Sequence, residues 1–339
     1  MQQAVKRSVG VLVGLVAFAL TPSYHSEAQQ RVTVRVDGSS TVYPLTEAAA
    51  FEYQKTSGNQ VTVGISGTGG GFKKFCDGQT DVQNASRPIS KEEMAKCAAK
   101  GIKYFELPMA YDAIVVVVNP RNTWLKSITT DELKKMWEPE AKDKVKTWKD
   151  VNPTWPNEPI KLFGAGTDSG TFDYFTEAIM GKAKASRPDY TASEDDNTLV
   201  QGVTGDRNAI GYFGYAYFEA NRSKLRAVPV DGGAKAPKKG PIEPSFANIK
   251  AADYFPLSRP VFIYANQEAM KRPEVAGFIN FYVKNGTMLA QKAKLVPLPT
   301  RAYEISATHI KENKVGTVFK GENKVGIKVE DLLKLETTL

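Results

Sequence analysis

The chain has 339 residues, 42% apolar and 24% charged, with a formal net charge of +8. That size suggests about two domains with a sizeable core, and the composition excludes a disordered or low-complexity polymer. Lys and Arg are spread along the chain, without like-charge blocks or aromatic–basic interleaving, which argues against a nucleic-acid partner and leaves a solvated basic surface able to attract small anions.

Lys6 and Arg7 precede an apolar run from Val9 to Leu20, and Ser26-Glu27-Ala28 offers a small-x-small cleavage site. This reads as a secretory leader over residues 1–28, too short to span a bilayer, with an exported chain starting near Gln29. The only two cysteines are Cys76 and Cys97. An oxidising compartment favours a bridge between them. Two buried thiols are the alternative, and sequence leaves the geometry open. With one His (His309) after the leader, little is left for a zinc site, and no metal or cofactor is expected.

Residues 31–36 alternate and read as a strand, which ends in the polar corner Asp37-Gly38-Ser39-Ser40-Thr41. A helix follows from Val42 to Lys55, with Pro44 in its first turn. Residues 60–65 form the next strand, running into Ser66-Gly67-Thr68-Gly69-Gly70-Gly71 and a short helix over Phe72–Cys76. The glycines permit close backbone approach, but neither a P-loop nor a dinucleotide fingerprint can be read. Residues 80–88 give a short strand and the corner Ala85-Ser86-Arg87-Pro88, then a helix over 91–100. Arg87 can place a planar guanidinium fork in a cleft; a surface Arg at a turn is the plain alternative.

The apolar run 113–118 predicts a strand buried on both faces. Beyond it, Trp124, Trp137, Trp148 and Trp155 mark a change of composition, a helix is expected over 129–137, and a strand over 160–163. Gly164 to Thr171 then leads into a helical pattern with Phe172, Phe175, Ala178 and Ile179 on one face. Such a strand–loop–helix junction aims backbone N–H groups, the helix dipole and the hydroxyls of Ser169 and Thr171 at one spot. An anion site and an ordinary N-cap both fit it. Residues 187–196 read as loop, 197–202 as helix, 209–214 and 226–230 as strands, and 231–244 as an exposed loop. Residues 258–264 are an apolar strand and 274–284 a helix. Glu312-Asn313-Lys314-Val315-Gly316 recurs at 322–326 as a local echo.

Strands alternating with helices argue an α/β class. Crossings near 113–120 and 258–264 divide the chain into lobe 1 over 29–116, lobe 2 over 117–260, and a return of lobe 1 with a tail over 261–339. In open α/β sheets ligands sit beyond the carboxyl ends of strands. Four polar corners fall there, at 37–41, 66–71, 84–88 and 166–171, and one ligand held by all four would lie between the lobes.

On these corners, and above all on Asp168-Ser169-Gly170-Thr171-Phe172, the chain resembles the periplasmic phosphate-binding protein of the Pst-type ABC transporter, over nearly its whole length after the leader. The resemblance implies a two-lobed, venus-flytrap fold with two crossover strands. It also implies a monomer in the periplasm that captures inorganic phosphate and hands it to permease subunits in the inner membrane. It carries ligand contacts onto Ser40, Thr41, Val42, Thr68, Ser169, Gly170 and Thr171.

Two positions depart. The family's best-known members have an Arg four residues before that Ser, where this chain has Ala165, and an Asp in the corner that here reads Ser86-Arg87. The expectation is that Arg87 supplies the cation, beside Ser86. A carboxylate that accepts the hydrogen bond of protonated phosphate would repel sulfate, which has no proton to donate. Asp168 is the first candidate for that acceptor and Asp173 the second. Sulfate or another oxyanion is the alternative ligand. An exported phosphate-ester hydrolase is the rival class, with Ser169 as nucleophile. It lacks a G-x-S-x-G elbow, and its only His is remote in sequence. A surface scaffold that keeps the anion fold is a third reading.

Overall fold

A computed structural model describes residues 33–339; the leader reading lies outside the described residues. Five strands and three helices build the first half: β1 Thr33–Gly38, α1 Tyr43–Ser57, β2 Gln60–Val63, α2 Gly67–Cys76, β3 Val82–Ala85, α3 Lys91–Ala99, β4 Tyr104–Val118, and, returning late in the chain, β8 Ser258–Asn266. The second half holds α4 Thr130–Trp137, β5 Lys161–Ala165, α5 Gly170–Met180, β6 Thr191–Ser193, α6 Asp196–Gly205, β7 Ala209–Gly214 and α7 Tyr215–Ala220. After β8 come α8 Pro273–Lys284, α9 Gly286–Lys292, α10 Thr300–Lys311 and α11 Val329–Glu336.

The strands follow the order β2-β1-β3-β8-β4-β7-β5-β6. β2, β1 and β3 are parallel, as are β5, β6 and β7. β8 lies antiparallel between β3 and β4, and β7 is antiparallel to β4. β4 joins the two groups. Its residues 104–113 pair with β8, and its residues 114–118 pair with β7. All fifteen of its residues are buried, as expected of a strand covered on both faces. The sequence pattern predicts only the end of this strand, because Glu106, Pro108 and Asp112 interrupt the apolar run. Pro108 is tolerated because the register slips there, between Val261 and Phe262 of β8.

Helices cover the sheet by their apolar faces. α1 carries Pro44 in its first turn, is capped by Gly58 at φ 73°, and buries Leu45, Ala49 and Tyr53. α8 buries Val275, Phe278, Ile279 and Tyr282. In the second half Trp148 packs edge-on against Trp124 and Trp155, and Trp137 against Tyr212.

Three local expectations change. The glycine-rich stretch is the start of α2, helical from Gly67. Close approach of Gln83 and Gly38 to Gly71 fixes that helix against β1 and β3 despite its poor propensity. The segment 187–196 contains β6, whose partner β5 supplies the ladder that local sequence does not advertise. The expected strand over 226–230 is two short pieces, Arg226–Ala227 and Val230–Asp231. Cys76, at the end of α2, is bonded to Cys97 in α3.

Candidate functional site

The four corners meet. β1 ends at Gly38, whose φ of 131° and contact with the Asn84 carbonyl leave no room for a side chain. The chain turns through Ser39 to Val42 and enters α1. Thr41 is fully buried, and the Ser40 carbonyl accepts a hydrogen bond from the Tyr217 hydroxyl at 3.0 Å. Val42 is buried too, its N–H directed to the Ser39 carbonyl at 3.2 Å. Thr68 lies in the first turn of α2 and Ser86 just beyond β3. Ser169 caps α5, its hydroxyl accepting the Thr171 N–H at 3.1 Å.

Two hydroxyl pairs result. Thr41 Oγ1 lies 3.1 Å from Thr171 Oγ1, and Thr68 Oγ1 lies 3.2 Å from Ser86 Oγ. Gly170 joins them. A methyl group there would fall 2.5 Å from Thr68 Oγ1 and 2.7 Å from Ser86 Oγ, so this glycine is required for the approach. The Gly69 N–H donates to the Asp168 carbonyl at 2.7 Å and ties the α2 corner to the α5 corner.

The cation at this cluster is Arg259, which the sequence reading passed over. It is fully buried. Its Nη2 donates to Thr171 Oγ1 at 2.8 Å and to Thr41 Oγ1 at 3.4 Å, and its Nη1 reaches the Gly170 carbonyl at 3.5 Å. Asp112, its partner in the β4–β8 register, holds it at 3.1 Å and also accepts the Tyr215 N–H at 3.1 Å. Burial pushes the Asp112 carboxyl above its ordinary range, against the pull of Arg259. A signal was present: Asp112 and Arg259 are charges inside strands that otherwise read as core, where charges occur only with partners.

Asp196, at the start of α6, was also missed. It is buried, beside the Ser40 hydroxyl and the Gly214 N–H, and burial pushes its pKa up to about 7. Its Oδ2 has no hydrogen-bond partner among the described residues.

Arg87 sits elsewhere. Its guanidinium grips Glu93 through two contacts of 2.8 Å, Asp173 at 2.7 Å and the Pro88 carbonyl at 3.0 Å. These contacts occupy four of its five donors, and none of them is to the hydroxyl cluster. Asp173 pairs with Arg87 through Oδ2, while its Oδ1 has no hydrogen-bond partner among the described residues. The Asp168 side chain is 45% exposed and pairs with Lys73 at 3.0 Å. It faces a cleft of about 680 Å³ that Arg87, Asp173, Lys184 and Glu322 also line. His309 is buried on α10, 3.9 Å from Glu336 of α11, and makes no contact with Ser169. Among the described residues no group of three or more His, Cys, Asp or Glu is arranged to hold a metal ion.

Comparison with known proteins agrees with this architecture. A family model described as a PBP superfamily domain matches residues 24–285. Protein SphX of Synechococcus elongatus is 49% identical, covering 99% of this chain and 98% of its own. The phosphate-binding protein PstS of Staphylococcus saprophyticus is 40% identical, over 80% of this chain and 82% of its own. A crystal structure of a possible phosphate binding protein from Planctomyces limnophilus is 49% identical, covering 83% of this chain and 98% of its own, with a TM-score of 0.61. A candidate phosphate ABC transporter substrate-binding protein from Clostridium perfringens, solved with bound phosphate, is 25% identical, covering 79% of this chain and all of its own, with a TM-score of 0.64. The chain therefore belongs to the PBP superfamily, in the family of substrate-binding proteins that includes PstS and SphX.

Proposed function

We propose that this chain is an exported, non-enzymatic carrier that captures inorganic phosphate and delivers it to an ABC permease in the membrane. The observation that carries the reading is the meeting of Thr41, Thr68, Ser86 and Thr171 hydroxyls around Gly170, with Arg259 behind them. Ser40, Val42, Ser169 and Asp168 support the same corners from their own loops. The anion lies between lobe 1 (29–116 and 261–339) and lobe 2 (117–260), and the monomer works in the periplasm.

Arg259 takes the role first expected of Arg87, and Asp196 takes the role first expected of Asp168. A buried carboxyl with a free oxygen suits a ligand that still carries a proton. Five or six hydrogen bonds to a charged group, at about 1.5–3 kcal/mol each, exceed the roughly 8 kcal/mol of micromolar binding after ordering costs.

Calorimetric titration of refolded, ligand-stripped protein tests the proposal. Phosphate is expected to bind at micromolar concentration or below, and sulfate at least tenfold more weakly. Equal binding of both would give the site to oxyanions in general. No binding of either, or turnover of a phosphomonoester, would overturn it.

A further inference from the structure

After α10 the chain continues for residues 312–339, beyond the end of the matched family domain at residue 285. The tail first lies on the outer part of β4. The Gly316 N–H donates to the Tyr104 carbonyl at 2.9 Å, and the Val318 N–H to Glu106 at 3.2 Å. Phe319 is buried against Phe262 of β8, with ring centroids 5.4 Å apart. Gly321, at φ 78°, packs on Lys91 at the start of α3, and Glu322 pairs with Lys91 at 2.9 Å.

From there the chain crosses to α5. Asn323 Nδ2 donates to Glu177 Oε2 at 3.0 Å, and the Gly326 N–H donates to the Tyr174 hydroxyl at 2.8 Å. Gly326 also lies against the Phe255 ring. Within five residues, Glu322 to Gly326, the chain passes from the elements around β3 and α3 to the helix that Ser169 caps and whose first turn holds Thr171. Gly321, Glu322 and Asn323 form one wall of the 680 Å³ cleft.

We infer that the segment 316–327 is a strap that fastens α5 to the first half of the molecule and sets how readily the cleft opens, and hence how fast ligand leaves. The inference rests on the reading above of a carrier that holds phosphate between the two lobes. A rotation that carries α5 away from α3 by more than a hydrogen-bond length must break the direct Arg87–Asp173 ion pair and, in the strap, either break the Asn323 and Gly326 contacts or pull Phe319 from its socket. The second is costly because Phe319 is buried, so the polar contacts give way first.

Deleting the tail would expose β4 and β8, so side-chain variants of the full chain are the test. Asn323→Asp sets a like charge against Glu177, and Glu177→Lys in the same background restores attraction. Small-angle scattering of ligand-stripped protein is expected to give a larger radius of gyration for Asn323→Asp than for wild type, with return toward wild type in the double variant. Stopped-flow release of inorganic phosphate is expected to accelerate at least threefold in the single variant and to recover in the double. Should Asn323→Asp fold poorly, Asn323→Ala with Lys91→Ala removes the two side-chain anchors, to Glu177 and from Glu322, without adding charge, with the same expectations. Variants that match wild type in radius and release rate overturn the strap. If wild type does not bind phosphate at all, the carrier reading fails, and the scattering comparison still decides the strap.

Discussion

Replacement of Arg259 separates its two roles. Arg259→Met removes a fully buried guanidinium and leaves Asp112 buried without its counter-charge. Breaking such a pair costs about 3–5 kcal/mol of stability. The anion loses a formal positive charge, and the Thr171 and Thr41 hydroxyls lose the donor that orients them from 2.8 and 3.4 Å. Two weakened charge-assisted hydrogen bonds at about 1.5–3 kcal/mol each amount to roughly a 10²- to 10⁴-fold rise in Kd. Adding Asp112→Leu removes the orphaned carboxylate, so the double variant is expected to regain most of the stability and none of the affinity. Urea denaturation reads the first quantity and calorimetry with phosphate the second. A double variant with wild-type stability and wild-type Kd would show that Arg259 serves the fold alone, and the assignment of the cation would be wrong.

Gly170→Ala adds a methyl group 2.5 Å from Thr68 Oγ1 and 2.7 Å from Ser86 Oγ. Affinity is expected to fall at least tenfold, and the buried overlap is expected to cost about 1–3 kcal/mol in urea denaturation; unchanged affinity would disprove the convergence. Asp196→Asn keeps the shape but cannot accept in the same way, and the phosphate-to-sulfate preference is expected to shrink at least tenfold by calorimetry. The same variant tests a pH effect. Burial raises Asp196 to about 7, so the folded chain holds a proton that the unfolded chain releases near pH 4. Wild-type stability relative to Asp196→Asn is therefore expected to fall between about pH 4 and pH 7, then level off. Denaturation at several pH values checks it, and parallel curves would refute it. Cys76→Ser with Cys97→Ser opens a loop of sequence separation 21 and is expected to cost about 3 kcal/mol in urea denaturation.

The sequence showed the strand–corner–helix units because each has a local signature: an apolar strand, a run of Gly, Ser and Thr, then a helical stripe. Thr41, Thr68, Ser86, Gly170 and Thr171 were legible for that reason, and they do meet. Arg87 was chosen because it stands in such a corner. The claim on it by Glu93 comes from α3 and that by Asp173 from α5, and a corner does not reveal either. Arg259 and Asp112 were hidden by the opposite circumstance. They sit within apolar strands, 147 residues apart, and only the antiparallel register of β4 and β8 makes them partners. Asp196 was hidden because its burial depends on packing against the Ser40 corner. Charges inside a strand that otherwise reads as core were the one clue available.

The place of β8 bears on how the molecule is made. It fills the slot between β3 and β4, and its Phe262 faces Ala85, a residue synthesised 177 positions earlier. Until that late strand emerges, the early strands have no neighbour on that side and the ribbon stays incomplete. Contacts so distant along the polymer are slow to form. For a chain exported as proposed above, that delay would keep much of it loose enough to thread through a narrow channel.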